Sequence, residues 1–154
     1  MHRRQFVKSV AGGAGLSLLP SWLYAGDGKA EKALKILVLG GTGFLGPHTV
    51  EYALKRGHEV TLFNRGKTNP DLFPDLESLK GDRDGGLGAL KGRRWDAVVD
   101  TSGYVPRVVD QSAALLADHV DRYLFVSTIS VYASLASTNI DEDEPVGVLE
   151  DPTV

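Results

Sequence analysis

Apolar and polar positions form blocks between residues 35 and 127, and these blocks predict strands that alternate with helices. The aliphatic run at 35–40 is typical of a buried strand, and further strands are predicted at 59–64, 76–81, 96–100 and 122–127. Apolar residues at helical spacing cover 44–57, and further helical segments are predicted near 86–91 and 105–119. Gly57 is expected to end the first helix, and Pro106 is expected in the first turn of the last one. This order predicts an α/β fold with a doubly wound parallel sheet.

Composition indicates a single compact domain. The chain has 154 residues, of which 42% are hydrophobic and 18 are glycine, and these values exclude a disordered or fibrous protein. Cysteine is absent, so disulfides, zinc thiolate sites and thiol nucleophiles are excluded. We expect no metal site. The acidic segment 134–154 has no strand pattern and is predicted to be a loop or an unfinished element.

The first 25 residues have the order of an export signal. The segment "HRRQFVKS" at 2–9 places two adjacent arginines before a phenylalanine and a lysine, and a mildly apolar run follows. Glycines dilute that run, which is shorter than the roughly 20 apolar residues of a membrane-spanning helix. The segment resembles a twin-arginine signal peptide. We therefore expect export through the twin-arginine machinery to the periplasm or the cell exterior, with 26–34 as a linker; the alternative is a basic tail.

Net charge bears on the kind of partner. Removal of residues 1–25, which contain Arg3, Arg4 and Lys8 and no acid, changes the formal net charge from −3 to −6. An acidic domain binds phosphate backbones poorly. We therefore expect a small-molecule substrate and no nucleic-acid partner.

Three glycines follow the first predicted strand. In "GGTGFLG", Gly40, Gly43 and Gly46 have the spacing G-x-x-G-x-x-G at the start of the first predicted helix. Glycine permits a tight turn and lets a pyrophosphate approach the backbone, while a helix N-terminus offers unpaired N–H groups. With a strand on each side of this unit, the spacing predicts a Rossmann-like dinucleotide-binding domain over 35–154. The alternative is that these glycines only form a tight turn.

The end of the second predicted strand bears on the choice of dinucleotide. An acid at this position normally binds the ribose hydroxyls of NAD and repels a 2′-phosphate. Asn64 stands there instead, followed by Arg65 and then Lys67. A guanidinium can bind phosphate through two parallel hydrogen bonds, so the sequence favours NADP, with NAD as the second choice. The alternative is a solvated basic turn.

Four segments carry a family resemblance: "GGTGFLG", "GDRD", "DAVVDTSG" and "FVSTISVYA". Their order and spacing resemble those of the NAD(P)-dependent epimerase/dehydratase family, the extended short-chain dehydrogenases/reductases. The resemblance implies a pyrophosphate loop of Gly40, Gly43, Phe44, Leu45 and Gly46. It also implies that Asn64 and Arg65 face the adenosine ribose and that Asp82 and Arg83 lie beside the adenine. Thr101, Ser102 and Gly103 would lie along the cofactor. Thr128 has the position of the family's catalytic serine or threonine.

The catalytic pair of that family is absent from this sequence. The resemblance implies that a tyrosinate removes a proton from a substrate hydroxyl, and that a lysine four positions later lowers the tyrosine pKa. None of the 5 tyrosines is followed four positions later by lysine. We therefore expect an N-terminal part of an oxidoreductase of nucleotide sugars or related hydroxyl or carbonyl compounds. This N-terminal part would lack the substrate lobe and is expected to show no catalytic turnover alone. The full-length protein is expected to be capable of forming a homodimer.

Some positions depart from the common family pattern. Asp100 stands where many members have histidine, and Ser102 where alanine is usual. The segment "FNRG" also resembles an atypical branch that includes chloroplast stem-loop RNA-binding proteins. The alternative function is therefore a nucleotide- or RNA-binding protein of the same fold without redox turnover.

Overall fold

The computed structural model describes residues 28–136 and 138–151, so the predicted signal at 1–25 lies outside the described residues. Five strands and two α-helices follow one another as β1 (Lys35–Leu39), α1 (Leu45–Lys55), β2 (Glu59–Asn64), β3 (Glu77–Lys80), β4 (Trp95–Asp100), α2 (Pro106–Leu116) and β5 (Val120–Phe125). Two short 3-10 helices lie at Gly88–Leu90 and Ile129–Val131. Within these described parts of the chain, no helix combines the length and apolar character that crossing a membrane requires.

The five strands form one parallel sheet in the order β3-β2-β1-β4-β5. The chain moves outward from β1 through β2 to β3 and then crosses back to place β4 on the other side of β1. This arrangement confirms the predicted doubly wound α/β sheet. In open parallel sheets, ligands bind at the carboxyl ends of the strands where the strand order reverses, which here lies between β1 and β4.

Two hydrophobic clusters cover opposite faces of the sheet. The first cluster packs α1 on strands β1 and β2 and contains Ile36, Val38, Val50, Ala53, Val60 and Leu62. The second packs α2 on the other face and contains Leu37, Leu39, Phe63, Leu87, Leu90, Trp95, Val98 and Leu116. Successive residues of β1 therefore enter different clusters, as expected for a strand buried on both faces.

The five predicted strands and two of the three predicted helices are found, with small differences at their ends. Gly57 follows the end of α1 with a φ of +85°, and Pro106 opens α2, as predicted. The helical segment predicted at 86–91 is only the 3-10 turn Gly88–Leu90. Gly85 and Gly92 flank that turn with positive φ values of +81° and +72°, and such residues do not extend an α-helix.

The acidic segment after residue 134 is mostly irregular, as predicted. Its described residues contain no strand, but they fold back on the chain that follows β5. Tyr132 and Val146 form an isolated antiparallel bridge. The N–H of Ala133 donates to the carbonyl oxygen of Pro145 at 2.9 Å, and the N–H of Gly147 donates to that of Val131 at 2.8 Å.

Candidate functional site

The turn between β1 and α1 has a backbone that requires glycine. Gly40 has a φ of +91°, and its N–H donates to the carbonyl oxygen of Phe63 at 3.1 Å. A Cβ atom on Gly46 would contact the carbonyl oxygen of Gly40 and would lie 2.6 Å from the carbonyl carbon of Gly41. The first turn of α1 therefore packs directly on the backbone of the glycine turn.

Helix α1 begins at this turn with an open N-terminus. Phe44, which precedes the helix, has a φ of +39°, and its side chain is 100% exposed. Within the described chain, no side chain caps this helix end, and its first turn contains no acid. The N–H of Gly46 donates to the carbonyl oxygen of Gly43 at 2.8 Å, and the positive end of the helix dipole favours an anion at this place.

An open cavity of about 400 Å³ lies at the carboxyl ends of β1 to β4, within the size range of small-molecule sites. Most of the cofactor residues predicted from the sequence line it, namely Gly40, Gly43, Phe44, Asn64, Arg65, Asp82, Arg83, Thr101 and Ser102. The loops that follow four different strands therefore meet around one space. In the part of the chain that the structure describes, no cluster of three or more histidine or acidic residues could hold a metal ion.

Three predicted cofactor residues do not line the cavity. Gly46 lies behind the glycine turn, and Leu45 is partly exposed beside it. Gly103 packs between two elements, because a Cβ atom there would contact the Phe125 ring and would lie 2.6 Å from Cγ2 of Val109. These residues support the shape of the site from outside its lining.

Other lining residues were not assigned from the sequence. They are Thr42, Phe63, Gly66, Thr68, Gly81, Tyr104, Val105 and Val108, together with Lys67, which was noted only for its charge. Most of them lie within a few residues after the end of a strand. That position is the signal that could have identified them, because ligands approach the carboxyl ends of parallel strands.

The turn after β2 forms a basic wall of the cavity. Asn64 shapes this turn, since its Oδ1 accepts a hydrogen bond from the N–H of Gly66 at 2.8 Å. The same loop is fixed to the glycine turn by Asn69, whose Nδ2 donates to the carbonyl oxygen of Thr42 at 3.1 Å. Arg65 and Lys67 line the cavity, and neither has an ion-pair partner among the residues that the structure describes.

Helix α2 holds the loop after β3 at the opposite wall. Asp82 lines the cavity, and its Oδ1 accepts a hydrogen bond from the N–H of Asp84 at 3.1 Å. Arg107 donates to both carboxylate oxygens of Asp84 at 2.5 and 2.9 Å, and the N–H of Gly85 donates to Oε1 of Gln111 at 3.3 Å. The hydrogen bond from Arg107 lowers the pKa of Asp84. Because this ion pair is exposed, it contributes more to loop position than to stability.

A buried polar network lies beside the cavity. Arg83 donates from its two terminal nitrogens to the two carboxylate oxygens of Asp100, each at 2.7 Å, and also to Oγ of Ser112 at 2.6 Å. The Tyr123 hydroxyl donates to Oδ2 of Asp100 at 2.8 Å, and the N–H of Ser102 donates to Oδ1 at 3.1 Å. Both terminal nitrogens of Arg83 thus bind protein groups. Asp100, which lies on β4 and is 0% exposed, binds the loop after β3 through Arg83 and β5 through Tyr123, while Arg83 also binds Ser112 of α2.

This network gives Tyr123 a pH-dependent contribution to stability. Burial is the main cause that raises the pKa of the Tyr123 hydroxyl from 10.0 to about 12. Because the folded-state pKa is raised, this contribution is complete below pH 10.0 and is lost as the pH rises to about 12. We expect the free energy of unfolding, measured in urea over this interval, to fall more for the wild type than for Tyr123→Phe. Tyr52→Phe, at an exposed tyrosine of α1, is expected to behave as the wild type, and equal losses for wild type and Tyr123→Phe would contradict this expectation.

Comparison with known proteins identifies the family. The sequence profile of the NAD dependent epimerase/dehydratase family matches residues 36–152. The chain belongs to this family. The matched range contains every residue that lines the cavity, and the predicted family membership is confirmed.

Two proteins of Arabidopsis thaliana are similar in sequence to this chain. The first is chloroplast stem-loop binding protein of 41 kDa b, which is 33% identical over 119 residues, or 67% of this chain and 31% of that protein. The second is bifunctional UDP-glucose 4-epimerase and UDP-xylose 4-epimerase 3, which is 33% identical over 120 residues, or 68% of this chain and 33% of that protein. The chain therefore spans about a third of the length of these relatives.

Solved structures show the same epimerase/dehydratase fold. The Bordetella bronchiseptica enzyme WbmG in complex with NAD has a TM-score of 0.62 at 20% identity, and the match covers 77% of this chain and 45% of that one. The UDP-Glc/GlcNAc 4-epimerase of Campylobacter jejuni has a TM-score of 0.64 at 20% identity, with 75% and 43% covered. At these identities the likeness establishes the Rossmann-like fold.

Thr128, at the family's catalytic serine or threonine position, lies outside the lining of the cavity. Its side chain is exposed, and its Oγ1 accepts a hydrogen bond from the N–H of Ser130 at 3.2 Å, which caps the 3-10 helix Ile129–Val131. Its role in the reaction stays a prediction. The structure shows only that the hydroxyl stabilises the turn after β5.

Proposed function

We propose that this chain is the NADP-preferring cofactor-binding part of an epimerase/dehydratase-type oxidoreductase. The main support for the proposal is that two features complementary to phosphate lie around one cavity. These are the glycine turn with the open N-terminus of α1, and the basic turn Arg65–Lys67 with no partner carboxylate among the described residues. Pyrophosphate is complementary to the first feature, and a 2′-phosphate is complementary to the second.

Each wall of the cavity has a separate task in this proposal. The glycine turn and α1 hold the pyrophosphate, Arg65 and Lys67 hold the 2′-phosphate, and Asp82 lies beside the adenine. A bound nicotinamide dinucleotide supplies hydride transfer, and the protein supplies binding, orientation and electrostatics. Since no tyrosine has a lysine four positions later, we expect the 154-residue chain to bind the dinucleotide without substrate-dependent turnover.

A nucleotide sugar is the proposed substrate class of the whole enzyme. Relatives named for UDP-glucose 4-epimerase activity support it, as does the structure of WbmG with NAD and UDP. The cofactor choice differs from that of the neighbours whose structures contain NAD, among them the dTDP-glucose 4,6-dehydratase of Bacillus anthracis. Our preference for NADP rests on the basic turn after β2.

The role of Arg65 in cofactor choice can be tested by substitution. We expect Arg65→Ala to reduce the ratio of NADPH affinity to NADH affinity by roughly tenfold, because a charge-assisted hydrogen bond to phosphate is lost. Binding of both dinucleotides is measured by titration calorimetry. Arg94→Ala is the matched control, because this arginine precedes β4 at the opposite end of the sheet. An unchanged ratio in Arg65→Ala would remove Arg65 from the 2′-phosphate site.

A second candidate function is RNA binding without redox turnover. It is favoured by the similarity to chloroplast stem-loop binding protein of 41 kDa b. The acidic charge of the chain disfavours it. Salt-dependent binding of a stem-loop RNA, together with no binding of NADPH or NADH, would replace the first proposal by the second.

We also propose that residues 1–25 direct export by the twin-arginine pathway. The proposal is supported by the adjacent pair Arg3 and Arg4 ahead of a short, glycine-diluted apolar run. Replacement of both arginines by lysine is expected to retain the protein in the cytoplasm of an expressing bacterium.

A further inference from the structure

Lys80, the last residue of β3, lies beside the basic turn, although it is not part of the cavity lining. In the parallel register, Lys80 pairs with Asn64, and the N–H of Gly81 donates to the Asn64 carbonyl oxygen at 3.0 Å. A Cβ atom on Gly66 would lie 3.4 Å from Cε of Lys80 and 3.8 Å from its Nζ. The Lys80 side chain therefore extends from β3 to the centre of the turn Arg65–Lys67.

The alternation of the strands explains this direction. Phe63 and Leu79 are register partners, and both pack in the cluster on the α2 face of the sheet. Neighbouring residues of a strand point to opposite faces, so Asn64 and Lys80 lie on the α1 face. That face also carries α1, whose open N-terminus begins at the glycine turn. Lys80 is thus on the side of the sheet where the proposed phosphate groups would lie.

Three positive charges lie around Gly66, and the described residues provide no counter-ion for them. Among the described residues, Arg65, Lys67 and Lys80 have no ion-pair partner. Three positive charges around one turn raise the local potential and favour an anionic group between them. Lysine supplies a mobile point charge on a flexible stem, whereas arginine supplies a fixed planar fork. The two residue types can therefore act on one phosphate from different sides.

We propose that Lys80 is a third cation of the 2′-phosphate site and a specificity-determining residue for the phosphorylated dinucleotide. This inference rests on the proposed function, because it assigns Lys80 to the same end of the cavity as Arg65 and Lys67. Lys80 approaches that end from β3, whereas Arg65 and Lys67 approach it from the turn after β2.

The test compares two small probes that differ only in the 2′-phosphate: adenosine 2′,5′-bisphosphate and adenosine 5′-monophosphate. Binding of each to the 154-residue protein is measured by titration calorimetry at low and high salt. We expect Lys80→Met to weaken binding of the bisphosphate by roughly three- to tenfold and binding of the monophosphate by less than about twofold. Methionine keeps an apolar stem beside Gly66, so the packing of the turn is retained while the charge is lost. The salt dependence of bisphosphate binding is expected to be smaller in Lys80→Met.

Two further variants make the test specific. Lys80→Arg keeps the charge and is expected to retain most of the bisphosphate preference. Lys35→Met removes an exposed strand lysine at the amino end of β1, far from the cavity, and is expected to leave both affinities unchanged. If the wild type prefers the bisphosphate and Lys80→Met keeps the same preference, the inference is overturned while the proposed function stands. If the wild type shows no preference, the NADP assignment itself fails, and the inference fails with it.

Discussion

Replacing Gly46 by alanine is expected to weaken dinucleotide binding by at least about a hundredfold. The added Cβ atom would contact the carbonyl oxygen of Gly40 and would lie 2.6 and 2.8 Å from the carbonyl carbon and Cα of Gly41. All these contacts are with backbone, so the strain cannot be relieved by a change of rotamer. Either α1 or the glycine turn must move, and both form the proposed pyrophosphate site. We also expect a loss of about 1–3 kcal/mol in the free energy of unfolding, as is common for overpacked sites.

The matched control is Gly88→Ala. Gly88 lies in a 3-10 turn, and a Cβ atom there would have no heavy atom within 4 Å. This variant is expected to bind NADPH as the wild type does. Dissociation constants from calorimetry and unfolding curves in urea, measured for both variants, separate the two effects. Wild-type affinity in Gly46→Ala would show that α1 does not need to approach the glycine turn this closely for binding.

Replacing Asp100 by alanine is expected to destabilise the protein by about 3–5 kcal/mol, because the buried guanidinium of Arg83 loses its charged partner. The Tyr123 hydroxyl and the N–H of Ser102 would also lose an acceptor. Since Ser102 lines the cavity, Asp100→Ala is also expected to weaken NADPH binding. Urea unfolding measures the stability, and NADPH titration measures the effect on binding.

A double variant distinguishes the loss of the Arg83–Asp100 ion pair from a general disturbance of the packing around it. Removing both charges with Arg83→Met and Asp100→Leu leaves no unpaired buried ion, so stability is expected to recover in part relative to Asp100→Ala. A cost below about 1 kcal/mol for Asp100→Ala would show that water reaches Arg83 and that the pair is not buried in solution.

The sheet and the glycine turn could be predicted because local sequence determines them. The strands β1 and β2 are buried on both faces: β1 appears as an aliphatic run, and the four buried residues of β2 are all β-branched or apolar, types that favour strands. The turn after β1 needs glycine at Gly40 because of its positive φ, and at Gly46 because a Cβ atom there would meet the backbone of the turn. The spacing of these glycines is also part of the family's motif. Where glycines dominate, as at 85–92, the apolar residues predicted more helix than the backbone forms.

The partners of the charged residues could not be predicted. The family resemblance implies that Arg83 faces the adenine, yet its terminal nitrogens bind Asp100 and Ser112. That pairing depends on how the loop after β3 folds back between β4 and α2, which no local pattern encodes. The position of Lys80 beside Gly66 similarly depends on the register between β2 and β3. Long-range contacts of this kind decide which charges face the cavity and which support it.

Calorimetric titration of the 154-residue protein with NADPH and with NADH directly tests whether the chain is an NADP-preferring cofactor-binding domain. We expect saturable binding of one NADPH per chain, with an affinity at least about tenfold higher than that for NADH, because the basic turn contributes charge-assisted hydrogen bonds only to the 2′-phosphate. Equal affinities for the two dinucleotides, or no saturable binding of either one, would contradict it.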